Sequence, residues 1–457
     1  MNKTRLIKVG FLIIGDSIFL YFALLAGLFL RYFPYLDYFL IMQHLTSFTI
    51  IFMVWLILFG AFGLYDLRFM KNSKLFLFRL GRAMVTNIVA AIIIFYFLPY
   101  FQIEPRRNLL IIASLAAILI FFWRYIFNLI IIRAPTSRLL FFGTNTETIG
   151  LAEYLLANPQ LGQKPIGLIS NSNTSHAGNP LPYFSLTAQK LTAVVRDTAA
   201  DTVIISRNLY EDKNLTKILF QMIPRGIAVI EFTKLHEMMT GKIPLSLIGE
   251  LWFVENLVGI KKGMYEFFKR ATDITLGALF LAPSLILLPL IAAAIKLDSD
   301  GPIFFRQKRV GRLGRLFEVR KYRSMVKDAE KISGFKSGDG GDARLTRVGA
   351  FLRKSYLDEL PQIINIMKGE MSFVGPRPER PEYVDILNKK IPFYEMRLLV
   401  TPGLTGWAQV NMENDASVED SPEKMQFDLY YIKNRSFMLD LLIILRTISA
   451  LLRRQGR

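Results

Sequence analysis

Four long apolar runs fill the first third of the chain, at residues 9–30, 45–65, 83–103 and 108–132. Each is close to the ~20 residues a helix needs to cross the hydrocarbon core of a bilayer. The texture changes at Arg138. From there short apolar segments alternate with amphipathic ones: residues 139–142, 166–169, 201–205 and 228–231 read as buried strands, with one helix ending near Ala157 and another over 215–222. That alternation predicts a Rossmann-like parallel sheet. A fifth apolar run, 274–295, holds Pro283 and Pro289; each removes a backbone donor and favours a bend. The fold class is therefore membrane α plus α/β. A transmembrane four-helix bundle is expected at 1–133, a degenerate Rossmann-like domain at 134–255, and a mainly helical domain at 256–457.

Charge decides how the apolar runs are threaded. The basic start (Lys3, Arg5, Lys8) and the basic stretch 67–82 (Arg68, Lys71, Lys74, Arg79, Arg82) place both ends of the bundle on the cytoplasmic side. The start lacks a small-residue cleavage site and reads as a retained anchor. Lys261, Lys262, Lys269 and Arg270 precede the fifth run, and Lys296, Arg306, Lys308, Arg309, Arg312 and Arg315 follow it, so both of its ends ask for the cytoplasm. A re-entrant helix over 266–297, broken near Pro283, Ser284 and Pro289, meets both demands, the Ser284 hydroxyl being a candidate partner for a freed carbonyl. Asp16 and Arg124 fall within apolar runs and are read as a mutual pair or as snorkelling side chains.

The 457 residues carry 56 Lys and Arg against 37 Asp and Glu, a net charge of +19, with no cysteine and three His. Thiolate catalysis, disulfides and thiolate metal sites are excluded. Basic residues beside apolar runs favour lipid and phosphate as partners over nucleic acid. A dinucleotide site would want G-x-G-x-x-G after the first strand. Here Gly143 is followed by Asn145 and Thr148 at the other glycine positions, and Ser170-Asn171 stand where an acid belongs, so no NAD is expected.

The candidate chemistry lies at Asp358 and Glu359, in RKSYLDELPQ at 353–362. Pro361 suits the first turn of a helix, expected over 360–367, whose amino end would stabilise anions. Adjacent carboxylates point about 100° apart on a helix, so the two must do different work. Around them the sequence is dense in basic and glycine motifs, namely GPIFFRQKRVG at 301–311, KYRSM at 321–325, DARLTRVG at 342–349, GPRPE at 375–379 and TPGLTGWAQV at 401–410. Together they suggest a phosphate cage. No P-loop and no kinase motif set is present.

These motifs, with Lys269, Arg270 and Asp273 as a KR-x-x-D set, LDSDGP at 297–302 and KGEMSFVGPRPE at 368–379, occur in the order of the bacterial sugar transferase family. The chain resembles a polyprenyl-phosphate glycosyl-1-phosphate transferase in its long form. The resemblance implies transfer of a sugar 1-phosphate from a UDP-sugar to undecaprenyl phosphate, with Mg²⁺ and release of UMP, at the start of O-antigen, capsule or exopolysaccharide assembly. It implies a multi-pass protein of the bacterial inner membrane with a cytoplasmic catalytic domain, and a homodimer is left open. The chain departs from the family pattern at Pro283-Ser284 (the family has Ser before Pro), Tyr322, Ser355 before Tyr356, and Asn411-Met412. Asp358 is then the expected nucleophile, since a carboxylate is anionic at neutral pH. Glu359 is the expected metal ligand, with Asp358 a second candidate. Lys321, Arg323, Arg353, Arg377 and Arg309 are expected to hold phosphates by charge-assisted hydrogen bonds; Lys321 or Arg323 could instead anchor the carboxylates. Two other readings are a membrane-bound nucleotide-sensing regulator and a nucleotide-sugar dehydratase or epimerase using the middle domain.

Overall fold

The structure, a computed structural model, describes residues 3–97, 105–133, 136–170, 181–185, 188–257, 263–326, 344–412 and 420–452. The Lys261-Lys262 pair, Asn171 and Asp342 fall outside the described residues. The chain folds as two compact units, Met1–Thr240 and Gly241–Arg457.

In the first unit the apolar runs form helices α1 (Lys3–Tyr32), α2 (Tyr38–Ala61), α3 (Lys74–Phe97) and α4 (Pro105–Arg133). Asp37 fixes the start of α2 by accepting from Leu40 N at 2.7 Å. Trp55, Phe48, Phe52 and Phe59 of α2 pack on Leu20 and Leu24 of α1, Ala83 and Ala91 of α3, and Ala116 and Ile120 of α4. Small residues allow close approach, as bundles in lipid require: a Cβ on Gly15 would stand 2.1 Å from Trp123. α3 begins at Lys74, so Lys74, Arg79 and Arg82 ride on its first turns and the basic stretch is not one open loop. Long cationic stems can cover apolar surface there while their heads reach the interface.

Asp16 and Arg124 form the mutual pair, and neither snorkels. Arg124 Nη2 meets Asp16 Oδ2 at 2.5 Å with both side chains buried, Tyr65 donates to the same oxygen at 2.8 Å, and Arg124 Nη1 donates to Leu64 O at 2.8 Å. The pair staples α1, α4 and the turn after α2. Arg124→Met would leave the buried Asp16 carboxylate without its counter-charge, and we expect a loss of about 3–5 kcal/mol of stability. Thermal unfolding in detergent reads this; an unchanged midpoint would show that the pair does not hold the bundle.

The rest of the first unit is α/β: β1 (Ser137–Phe142), α5 (Thr146–Ala157), β2 (Gln163–Ser170), β3 (Tyr183–Ser185), α6 (Ala188–Asp197), β4 (Thr202–Ile205), α7 (Lys213–Met222), β5 (Ala228–Glu231) and α8 (Phe232–Thr240). The sheet is wholly parallel in the order β3-β2-β1-β4-β5. That is a Rossmann-like order. Its short edge strand β3 carries no apolar run long enough to be read from sequence. Gly143 takes φ +102° at the turn after β1, and the Asn145 side chain caps α5 by accepting from Thr148 N at 2.8 Å.

The second unit opens with α9 (Glu250–Asn256), whose Trp252 and Phe253 share a core with Val384, Leu387, Tyr394 and Trp407. The break expected near Pro283, Ser284 and Pro289 is not present: α10 (Gly263–Asp298) follows as one continuous helix through both prolines, 36 residues long. A straight helix of that length reaches ~54 Å, well beyond a ~30 Å hydrocarbon core. Ser284 Oγ donates to Phe280 O at 2.6 Å, next to the carbonyl that Pro283 leaves without its usual donor. Then come the antiparallel hairpin β6 (Phe304–Val310) and β7 (Leu316–Tyr322), α11 (Arg347–Lys354), a 3₁₀ helix Leu357–Gln362, α12 (Ile363–Lys368), β8 (Ser372–Val374), α13 (Pro381–Lys390), a 3₁₀ helix Tyr394–Leu399, β9 (Gly403–Thr405), α14 (Trp407–Asn411), α15 (Ser421–Asn434) and α16 (Phe437–Leu452). Five helices, the first four and α10, are long and apolar enough to cross a membrane. By these helices the chain is a multi-pass membrane protein.

Candidate active site

The acidic pair lies inside the 3₁₀ helix Leu357–Gln362 and not ahead of an α-helix starting at 360. Tyr356 ends α11 in the left-handed region at φ 57°. A non-glycine residue held there is strained, and such strain clusters at functional sites. The 3₁₀ helix then runs straight into α12, so Pro361 belongs to its last turn and not to the first turn of α12.

Local geometry gives the two carboxylates opposite surroundings. Glu359 Oε1 accepts from Lys321 Nζ at 2.6 Å and from Arg377 Nη2 at 2.8 Å. Burial opposes the Glu359 charge, but Arg377 and Lys321 outweigh it and hold its carboxyl well below the usual range. Asp358 is 7% exposed, and none of the described residues donates a hydrogen bond to its carboxylate. Burial pushes Asp358 up to about 6, with the Glu359 charge adding to the rise and Lys321, Arg353 and Arg377 opposing it. One neighbour is thus a fixed anion, and the other is a carboxyl without a hydrogen-bond donor among the described residues, in a cationic setting.

The other predicted cations are placed as follows. Arg353 Nε donates to Ser324 Oγ at 3.0 Å while its charge acts on Asp358. Arg309 donates to Pro378 O at 3.0 Å and to Gln307 Oε1 at 2.7 Å, and lies 3.7 Å from Glu379. Burial brings the Arg309 pKa down to about 10. Arg323, two residues beyond Lys321, serves the end of α10: its Nη2 donates to Ser299 O at 2.5 Å and Ser299 Oγ at 2.9 Å. Gly301, at φ +130°, makes room for it, since a Cβ there would stand 2.2 Å from Arg323 Nη1. Of the five, Lys321 and Arg377 touch the acidic pair directly. Pro283, Ser284 and Pro289 lie within α10.

Several side chains that hold this geometry are not marked by the sequence as site residues. Asn365, buried in an apolar stretch, donates to Glu318 O and to Glu370 Oε2, both at 2.7 Å, and accepts from Arg320 N, tying α12 to the strand that carries Lys321. A lone amide between Ile364 and Ile366 is the available signal. Arg270 donates to Ile366 O and Met367 O, both at 2.6 Å, closing the carboxyl end of α12, and Asp273 accepts from Ser372 Oγ at 3.0 Å and Phe373 N at 2.9 Å. One turn of α10 thereby grips the segments after Glu359 and before Arg377. Behind Arg377, Glu379 accepts from Lys424 Nζ at 2.6 Å, with Arg397 at 3.8 Å. Burial works against the Glu379 charge, and Lys424, Arg397 and Arg309 overcome it, bringing its carboxyl down to about 2.

Among the described residues no three His, Asp or Glu side chains form a metal cluster. Mg²⁺ does not require one, since it commonly binds one or two carboxylates and completes its shell with water and substrate phosphate. Asp358 and the Oε2 oxygen of Glu359 accept no hydrogen bond from the described residues, so the donor set fits that chemistry.

The family model for bacterial sugar transferases matches residues 264–454. The UDP-N-acetylgalactosamine-undecaprenyl-phosphate N-acetylgalactosaminephosphotransferase of Aeromonas hydrophila is 40% identical over 228 residues, covering 50% of this chain and 52% of that protein. The UDP-glucose:undecaprenyl-phosphate glucose-1-phosphate transferase of Klebsiella pneumoniae is 31% identical over 317 residues, 68% of this chain and 67% of the relative. The exopolysaccharide production protein ExoY of Sinorhizobium fredii is 33% identical over 219 residues, 45% of this chain and 94% of the relative. The chain spans about half or less of the length of several relatives it matches. With the acidic pair, its cations and the α10 grip all inside the matched region, and nearly the whole of a shorter relative covered, this chain belongs to the bacterial sugar transferase family.

Proposed function

We propose that the chain transfers a sugar 1-phosphate from a UDP-sugar to undecaprenyl phosphate, releasing UMP, through a covalent intermediate on Asp358. The observation that carries this reading is the contrast within the acidic pair: a buried Asp358 carboxylate without a described hydrogen-bond donor, beside a Glu359 fixed by Lys321 and Arg377. The names of the Aeromonas and Klebsiella relatives contain both substrates and support the assignment.

In the first step an Asp358 oxygen attacks the β-phosphorus of the UDP-sugar. The bond from that phosphorus to the bridging oxygen breaks, and its electron pair leaves with UMP. The product is a sugar-phosphoryl aspartate. In the second step an oxygen of undecaprenyl phosphate attacks the same phosphorus, the acyl phosphate bond breaks, and the Asp358 carboxylate is restored as the sugar-diphospho-lipid leaves. Arg353 and Arg377, whose charges act on Asp358, would offset the charge of the diphosphate, and Lys321 keeps Glu359 in place. Glu359, with Asp358 as a second candidate, would hold Mg²⁺, which supplies charge neutralisation at the diphosphate.

UMP release over a panel of UDP-sugars, with and without undecaprenyl phosphate, tests the reading. The relatives' names differ in the sugar, so the panel includes N-acetylgalactosamine and glucose donors. No UMP from any donor, with lipid acceptor present, would overturn it.

The same reading puts the second unit on the cytoplasmic face of the inner membrane, with α10 entering the bilayer and returning. The basic flanks on both sides of α10 support this, and Pro283 and Pro289 are where the continuous helix would bend to return. Single cysteines at Lys262 and Arg309 in this cysteine-free chain should both be labelled from the cytoplasmic side. Labelling of the Arg309 position only from outside would mean that α10 spans.

A further inference from the structure

We propose that Arg397 is a positioning residue for the reaction: it sets Arg377, and through Arg377 the Glu359 carboxylate, by holding the Arg377 backbone carbonyl. The functional consequence rests on the phosphotransferase reading above; the geometric one does not.

Arg377 has weak local means of fixing itself. It stands between Pro376 and Pro378, neither of which has an N–H to donate. Among the described residues its side chain donates two hydrogen bonds, from Nη2 to Glu359 Oε1 at 2.8 Å and from Nη1 to Leu404 O at 3.5 Å. The carbonyls on either side are held, Pro376 O by Gly403 N at 2.9 Å and Pro378 O by Arg309 Nη1 at 3.0 Å, and the carbonyl of Arg377 itself accepts from Arg397 Nη2 at 2.9 Å. Arg397 is buried on the 3₁₀ helix Tyr394–Leu399. The same Nη2 donates to Asp428 Oδ2 at 2.9 Å, and Nη1 donates to the Tyr394 hydroxyl at 2.5 Å. On α15, Asp428 and Lys424 are one turn apart and share a face, and Lys424 holds Glu379, two residues beyond Arg377. One guanidinium thus joins α15, its own 3₁₀ helix and the proline-flanked loop. A guanidinium presents its donors in a rigid fork of set directions; the three donors of an ammonium rotate on a flexible stem and do not fix these acceptors in place.

The test uses the full chain in lipid nanodiscs. Arg397→Lys keeps a cation beside Asp428 and loses the fork, so it should fold, checked by its unfolding midpoint, while kcat for UMP release falls roughly 100-fold, as a displacement of about 1 Å in a catalytic group can cause. Because the effect runs through Arg377, adding Arg397→Lys to Arg377→Met should lower kcat by less than about threefold further, a strongly non-additive result. Tyr394→Phe removes one partner of Arg397 without touching the Arg377 carbonyl and should leave kcat near the unmodified value. A residue that only supports the fold would instead give losses that multiply in the double variant, and that outcome overturns the proposal. A structure of the Arg397→Lys chain decides the geometry without any turnover: Arg377 still within hydrogen-bond reach of Glu359 would also overturn it. If the unmodified chain releases no UMP, the phosphotransferase reading fails, and the structural arm still judges the positioning.

Discussion

Asp358→Asn should abolish UMP release and lipid-linked product together, by ~10⁴-fold or more, as removal of a covalent nucleophile does. The replacement keeps size and shape. It also places a neutral side chain in a buried position where a charge is costly, so the variant should unfold no earlier than the unmodified chain. Loss of activity in a folded protein then speaks to chemistry. The unmodified chain, given UDP-sugar alone, should release UMP in a burst of about one equivalent and leave a sugar phosphate on the peptide containing Asp358. With both substrates the double-reciprocal lines should be parallel, because donor and acceptor occupy the site in turn. Intersecting lines, or an Asp358→Asn variant turning over near the native rate, would make Asp358 a base or metal ligand in direct transfer. Family membership would stand in that case.

Glu359→Gln should also cripple turnover, by ~10²–10³-fold, but for a different reason. Glu359 is the shared partner of Lys321 and Arg377. Without its charge both cations lose a close anion in a largely buried site, and Asp358 is the carboxylate left beside them. They should turn toward it, engage the oxygen that has to attack phosphorus, and so quench the nucleophile. The burst of UMP should survive in reduced rate, unlike in Asp358→Asn, and the response to Mg²⁺ should weaken as its expected carboxylate donor is gone. A Glu359→Gln variant with native kcat and an unchanged Mg²⁺ titration would show that Glu359 is a structural anion with no part in the transfer.

The sequence by itself determined the features that depend on neighbours along the chain. Apolar length marked α1 to α4 and α10, and short apolar segments marked β1, β2, β4 and β5 of the parallel sheet. Both signals are carried within a few turns or a few strand residues, so no partner is needed to read them. The acidic pair and its basic motifs were legible for the same reason, as types and spacings. What the tertiary structure alone decided was which charge serves which task. Lys321 and Arg323 are two residues apart in one motif, yet Lys321 reaches Glu359, 38 positions away, and Arg323 closes the end of α10. Arg377 joins Glu359 from 18 positions away, and Arg397 and Lys424 stand behind it from segments still further along. Charges of one sign are interchangeable on paper. Their assignment follows from packing, because burial leaves a carboxylate only the cations that the assembled core brings within hydrogen-bond reach.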